Sequence, residues 1–217
     1  MKPRVKICCI SSKREALDAI DFGASALGLV GEMPSGPGVI SDEEIFEIAR
    51  IVPPPVATFL LTSKTSAKEI IEHYRKVQTS VIQIVDELTD KTYHEIRAAL
   101  PNVKLVQVIH VAGEKSVDEA VELAESVDAI LLDSGNPNLQ IKELGGTGRK
   151  HDWRLSRKIV ESIDKPVFLA GGLNAENVRE AIETVQPFGL DLCSGVRTGG
   201  GLDKSKLGKF FETIEKI

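Results

Sequence analysis

No apolar run in the 217-residue sequence reaches the roughly 18 residues that a membrane-spanning helix needs. The first residues hold no apolar core of a secretory signal, so a cytoplasmic location is expected. Excess positive charge is also missing. Lysine and arginine number 27 against 32 aspartates and glutamates, giving a net charge of -5. That balance exerts no bulk pull on nucleic acid or an anionic membrane, and leaves only a local basic site for a small anion. Cysteine is scarce, with Cys8, Cys9 and Cys193 alone. An odd number in a chain this long points to reduced thiols rather than a disulfide framework. Cys8 and Cys9 are adjacent and have no second Cys/His pair at ligand spacing, so no metal site is expected. Nor is there a linker or a change of composition regime, and residues 1–217 read as a single domain.

What is present is a repeated alternation. Val5 to Ile10 is β-branched and apolar, and reads as a strand closing on Cys8 and Cys9. Side chains alternate along a strand, so one thiol is expected to face a site and the other to face packing. Ser11 is the expected N-cap of a helix over 13–22, which Gly23 stops. Further strands are predicted at 25–30, 56–61, 80–85, 103–111, 128–133, 166–170 and 188–193. Helices are expected after the caps Ser41, Asp152 and Asn174, over 66–77, 90–100 and 116–126, and from Asp203 onward. Ser41 and Glu44 have the spacing of a capping box. Apolar strands without polar alternation are buried on both faces, as in a parallel sheet. Eight units in 217 residues is roughly 27 residues each, which closes into one (β/α)8 TIM barrel. The rival, an open doubly wound sheet, would carry a glycine-rich turn after its first strand, and here that turn has no glycine.

A (β/α)8 barrel places its active site at the C-terminal ends of its strands. Gly171-Gly172 follow the seventh strand and Ser194-Gly195 the eighth. Glycine there lets backbone N–H groups approach a phosphate. Asp133 ends the sixth strand, where a carboxylate serves either as a general acid/base or as a cap for the next loop. Cys8 or Cys9 ends the first strand, where a thiolate can take a carbon-bound proton or attack an electrophile. Together these groups point to proton transfer on a phosphorylated, sugar-like small molecule. His110 ends the fifth strand and reads first as a satisfied surface or core histidine, and only second as a site residue.

Several stretches carry a resemblance. They are Lys6-Ile7-Cys8-Cys9-Ile10, Leu131-Leu132-Asp133-Ser134, Gly145-Gly146-Thr147-Gly148 running to Asp152-Trp153, Ala170-Gly171-Gly172-Leu173-Asn174 and Asp191-Leu192-Cys193-Ser194-Gly195. In order and spacing, over nearly the whole chain, the sequence resembles the phosphoribosylanthranilate isomerases of tryptophan biosynthesis. The resemblance implies a (β/α)8 barrel that performs an Amadori rearrangement with no metal or organic cofactor. It maps the family's general base onto Cys8 and its general acid onto Asp133. Phosphate would rest on Gly171, Gly172, Ser194 and Gly195. Each proton-transfer role demands a displaced pKa, upward for the acid and downward for the base. Lys6 shares the face of Cys8 only if the strand is regular.

Three positions depart from the family pattern. Cys9 stands where glycine is usual. Gly38 stands where an arginine is expected to hold the anthranilate carboxylate, and glycine cannot replace a bidentate guanidinium. The fourth strand ends Gln83-Ile84-Val85-Asp86 rather than Gln-Leu-His-Gly. Arg197 and Arg149 are the candidate substitutes for the absent guanidinium. The departures leave two alternatives open: a barrel isomerase acting on a different phosphorylated aminosugar or ketose, and a non-catalytic phosphometabolite-binding protein. The segment from Gly31 to Gly38 is a candidate lid.

Overall fold

Both faces of the barrel strands are buried. Leu27, Leu29, Leu60, Ile82, Ile109, Ile130, Leu132 and Leu190 point outward into a continuous apolar layer under the helices. Phe59, Val81, Val106, Val108, Leu131 and Phe168 point inward and fill the middle of a barrel. The computed structural model describes residues 2–89, 92–136, 139, 141–146 and 148–217. Its barrel strands are β1 (Arg4–Ile7), β2 (Ala26–Val30), β3 (Ala57–Thr62), β4 (Val81–Ile84), β5 (Lys104–His110), β6 (Ala129–Asp133), β7 (Val167–Leu169) and β8 (Gly189–Leu192). They pair in parallel in chain order, and β8 returns to β1 with Ile7 opposite Leu192, so the predicted barrel closes.

The surrounding helices are α1 (Lys13–Asp21), α2 (Asp42–Ala49), α3 (Ala67–Val77), α4 (Tyr93–Ala99), α5 (Lys115–Ala124), α6 (Trp153–Ser162), α7 (Val178–Val185) and α8 (Lys204–Glu215). The capping box of α2 forms as expected: Ser41 Oγ accepts from Glu44 N–H at 3.2 Å, and the Glu44 carboxylate accepts from Ser41 N–H at 2.9 Å. Asp152 and Asp203 also cap their helices. The sequence misplaces two caps. Ser12, not Ser11, caps α1, because Ser12 has the extended backbone that lets its hydroxyl accept from Glu15 N–H. Asn174 accepts from the N–H groups of Glu176 and Asn177, which closes a turn ahead of α7 rather than capping the helix itself. Asp90, the predicted start of the fourth helix, and Thr147 in the loop after β6 lie outside the described residues. Among the described residues no helix is long and apolar enough to cross a membrane.

Candidate active site

The inward positions change character toward the C-terminal ends of the strands. Lys6 on β1 is fully buried, and its Nζ donates to Asp191 Oδ1 on β8 at 2.8 Å. The same ammonium lies 5.3 Å from the centroid of the Phe59 ring. Burial works against its charge, yet the Asp191 carboxylate and the Cys8 and Cys9 sulfurs outweigh that penalty and hold Lys6 protonated. Cys8 follows β1 immediately, on the Lys6 face. Gly28 of β2 makes room for both groups: a Cβ there would sit 2.7 Å from Cys8 Sγ and 3.1 Å from Lys6 Nζ. The strand is therefore regular between them, and a fixed cation stands beside the thiol.

Cys9 breaks the expected alternation. Its φ is +62°, in the left-handed region that an L residue enters at a cost of roughly 1–2 kcal/mol. That turn swings its side chain back, and Cys8 and Cys9 both line one cavity instead of facing opposite ways. Cys9 Sγ lies 2.7 Å from Cys193 Sγ, which follows β8. A positive φ at this position also accounts for the glycine usual there.

Asp133 ends β6 in the wall of the same cavity, which holds about 690 Å3 including its open mouth. Burial pushes its carboxyl above the usual aspartate range. The Ser134 N–H, 2.7 Å from Oδ1, and His110 pull the other way, and Asp191 adds to the rise. His110 is the strand partner of Asp133, and its Nε2 lies 3.2 Å from the Val85 carbonyl oxygen. Gln83 of β4 is buried, lines the cavity, and has no partner for its Oε1 among the described residues. An orphaned acceptor in a polar wall is available to a bound hydroxyl or N–H.

Three loops converge at one end of the cavity. Gly171 and Gly172 follow β7 with φ of +84° and +65°. A Cβ on Gly172 would sit 2.8 Å from the Gly148 carbonyl oxygen of the loop after β6. Ser194 to Val196 forms a 3-10 turn after β8, and a Cβ on Gly195 would overlap the Leu173 carbonyl oxygen. The predicted phosphate-loop residues are thus neighbours, packed too closely for side chains. Gly171, Gly172 and Ser194 line the cavity, and Gly195 locks the β8 turn onto the β7 loop.

The opposite end is built from Val30, Met33, Leu61, Val85 and Leu144. The segment after β2 spans the mouth, where Ser35 Oγ donates to the Lys142 carbonyl oxygen at 2.5 Å and Pro37 packs on Gly146. Gly38 abuts Cys9, and a Cβ there would overlap the Cys9 Cβ. Neither candidate arginine lines this end. The Arg197 guanidinium is buried, bonded to both Glu15 carboxylate oxygens and to the carbonyls of Cys8, Cys9 and Gly200. Burial opposes the Glu15 charge, but Arg197 and nearby N–H groups hold that carboxyl below its usual range. Arg149 pairs with Glu143 and stays largely exposed. Asp86 is neutralised by Lys142 at 2.5 Å and lies outside the cavity wall. Among the described residues lining the cavity there are two carboxyl groups, Asp133 and Asp191, and no Lys, Arg or His.

Lys6, Asp191 and Gln83 belong to the site although the sequence reading gave none of them a role there. Their signal is a polar residue at an inward position of an otherwise apolar strand.

Residues 5–213 match the family model described as N-(5'phosphoribosyl)anthranilate (PRA) isomerase. An N-(5'-phosphoribosyl)anthranilate isomerase of Methanosarcina acetivorans is 37% identical over 230 residues, covering 99% of this chain and 94% of that relative. One from Methanocella arvoryzae is 34% identical, covering 89% and 88%. The crystal structure of phosphoribosyl anthranilate isomerase from Thermotoga maritima superposes with a TM-score of 0.81 at 28% identity, covering 99% of this chain and all of that one. A phosphoribosyl anthranilate isomerase structure in complex with reduced 1-(o-carboxyphenylamino)-1-deoxyribulose 5-phosphate superposes with a TM-score of 0.79 at 27% identity, over 99% and 100% of the two chains.

Proposed function

The chain belongs to the N-(5'-phosphoribosyl)anthranilate isomerase family, and from that premise we propose that Cys8 and Asp133 carry its isomerisation of N-(5-phosphoribosyl)anthranilate to the 1-deoxyribulose 5-phosphate, in tryptophan biosynthesis. The observation that supports this reading best is the environment of Asp133. Its carboxyl is pushed up and shares one cavity with a thiol that has a fixed cation beside it. Phosphate rests on the backbone of the β7 and β8 loops, where glycines admit it and the loop amides supply donors. Protonated Asp133 donates to the ribose ring oxygen. The ring C–O bond breaks as the aniline nitrogen lone pair forms C=N, giving a protonated Schiff base. Cys8 as thiolate removes the C2 proton, and the electrons of that C–H bond flow to the iminium nitrogen. The enolamine then tautomerises to the ketone. Lys6 offsets negative charge on the sulfur, and Asp191 keeps Lys6 charged and in place. Gln83 offers its free Oε1 to a sugar hydroxyl.

A fluorescence assay with N-(5-phosphoribosyl)anthranilate tests this. Wild type turns the substrate over, and kcat falls as pH rises through the displaced Asp133 value, because the acid form is the working form. A flat profile from pH 5 to 9 would remove Asp133 from the acid role.

The cation-free wall favours a second reading for the distal end, in which the aglycone is neutral. An anthranilate carboxylate there meets Val30, Met33, Leu61, Val85 and Leu144, without a guanidinium. A phosphoribosylated neutral aniline processed with higher kcat/KM than the anthranilate compound supports that reading, and the reverse order rejects it.

A further inference from the structure

We propose that Cys9 and Cys193 form a dithiol that a low-molecular-weight disulfide oxidises to a bond joining the ends of β1 and β8, with Cys8 left as a thiol. The two sulfurs are 2.7 Å apart although the residues are 184 positions apart in sequence. The backbone fits the bond. Ile7 and Leu192 are paired, and Cys8 N–H donates to the Leu192 carbonyl at 2.7 Å, so the register continues with Cys8 beside Cys193 and Cys9 diagonal to it. A strand spacing of about 4.8 Å with an offset of about 3.3 Å keeps a diagonal pair within the Cα separations of roughly 4.4–6.8 Å that disulfides span. The left-handed turn at Cys9 aims its sulfur across to β8, and Gly38 leaves the space that its Cβ occupies.

Access and charge assign the two roles. Cys193 is half-buried in the wall of an open cavity, where a small disulfide can reach it. The sulfur–sulfur hydrogen bond with Cys9 lowers its pKa. Burial and Asp191 oppose that effect, whereas Arg197 and Lys6 support it. Cys9 is displaced upward by the same hydrogen bond and keeps the proton of the pair. Cys193 as thiolate therefore attacks one sulfur of the small disulfide, the S–S bond breaks, and one small thiolate leaves. Cys9 then gives up its proton to that thiolate and attacks the Cys193 sulfur, expelling the second small thiol. Two protein thiols are oxidised and one small disulfide is reduced to two thiols. Cys8 has no part in the exchange, so the bond forms one residue from the proposed base and next to Ser194 of the β8 turn.

The test incubates the folded full chain with oxidised glutathione, followed by thiol titration, intact mass and peptide mapping without reduction. The expected result is loss of two of the three thiols. No glutathione is retained, the peptides holding Cys9 and Cys193 are cross-linked, and dithiothreitol reverses the change. Cys8→Ser forms the same cross-link, and Cys9→Ser traps glutathione on Cys193. Loss of the cross-link in Cys8→Ser assigns the bond to Cys8 and overturns the proposal. So does glutathione retained on wild-type Cys193, or survival of all three thiols under conditions that oxidise the urea-unfolded chain. None of these readouts depends on turnover, so the dithiol and the isomerase assignment stand or fall separately.

Discussion

At the β7–β8 end of the cavity the walls are backbone, and at the β2–β4 end they are side chains. Gly171, Gly172 and Ser194 offer main-chain groups to a ligand, with Gly195 fixed against Leu173 behind them. Every residue but proline carries the same main-chain donor, so such a wall constrains sequence mainly by excluding Cβ atoms. The far end is Val30, Met33, Leu61, Val85 and Leu144, and its chemistry changes with each substitution. The two ends therefore diverge by different rules. On the proposed assignment the β7–β8 end takes the phosphate and the other end the aglycone. Gly38 and Cys9, where the resemblance implies arginine and glycine, touch. A side chain at 38 and a Cβ at 9 compete for the same space.

The strongest way to test the comparison is to remove the chemistry both ends serve. Cys8→Ser and Asp133→Asn each lower kcat by about 1,000-fold or more, within the range for a lost general base or acid. KM changes little, because neither residue builds an end wall. The fluorescence assay reads both parameters. A drop confined to KM would move these residues from chemistry to binding. The next largest effect is at the backbone end. Gly195→Ala puts a Cβ onto the Leu173 carbonyl oxygen, so the β8 turn must part from the β7 loop. KM for the phosphorylated substrate rises on the order of 10-fold to 100-fold, a loss of roughly 1.4–2.8 kcal/mol of binding. A matching fall in inorganic phosphate affinity, by calorimetry, places the damage at that end. Unchanged KM would show that phosphate does not bind there.

Arginine at the side-chain end gives a smaller, conditional effect. Gly38→Arg alone adds a side chain at φ +80° against the Cys9 Cβ, and destabilises the fold by about 2–3 kcal/mol without gain in kcat/KM. Cys9→Gly with Gly38→Arg removes the contacts with the Cys9 Cβ and Sγ and leaves the 2.8 Å approach to the Cys9 Cα, so the relief is partial. Relative to Gly38→Arg the double variant recovers part of the lost stability and raises kcat/KM for the anthranilate substrate about 10-fold, the scale of one charge-assisted contact. Equal values for the single and double variants would mean the positions are not coupled.

How far the site is legible follows from the same division. Gly171, Gly172 and Gly195 announce themselves because only glycine satisfies their geometry. Asp133 is legible because it interrupts an apolar strand at its end. The barrel is legible because eight apolar strands recur with helices between them. Lys6, Asp191 and Gln83 are harder, since their roles depend on strands distant in sequence that meet only when the barrel closes. Arg197 shows the opposite failure. A guanidinium just after a phosphate loop looks available, yet Glu15, 182 positions away, and the carbonyls of Cys8 and Cys9 engage it. Cys9 misleads for a local reason: strand alternation does not apply at φ +62°.

That left-handed turn gives the smallest effect and isolates the one feature that links the two ends. Cys9→Ala and Cys9→Gly both delete the thiol and its contact with Cys193. They differ only in a Cβ at a position where L residues are strained. Cys9→Gly is therefore expected to be more stable than Cys9→Ala by about 1 kcal/mol, the left-handed penalty less the extra chain entropy that glycine loses on folding. Urea unfolding with a shared m-value measures it. With Gly38 in place the packing around the Cβ is satisfied, so the difference reports backbone alone. Repeating the pair in a Gly38→Arg background adds the steric overlap, and the gap should widen to roughly 2–3 kcal/mol. If it stays at 1 kcal/mol, the arginine has found a path around Cys9, and the bare aglycone wall does not come from competition between these two residues.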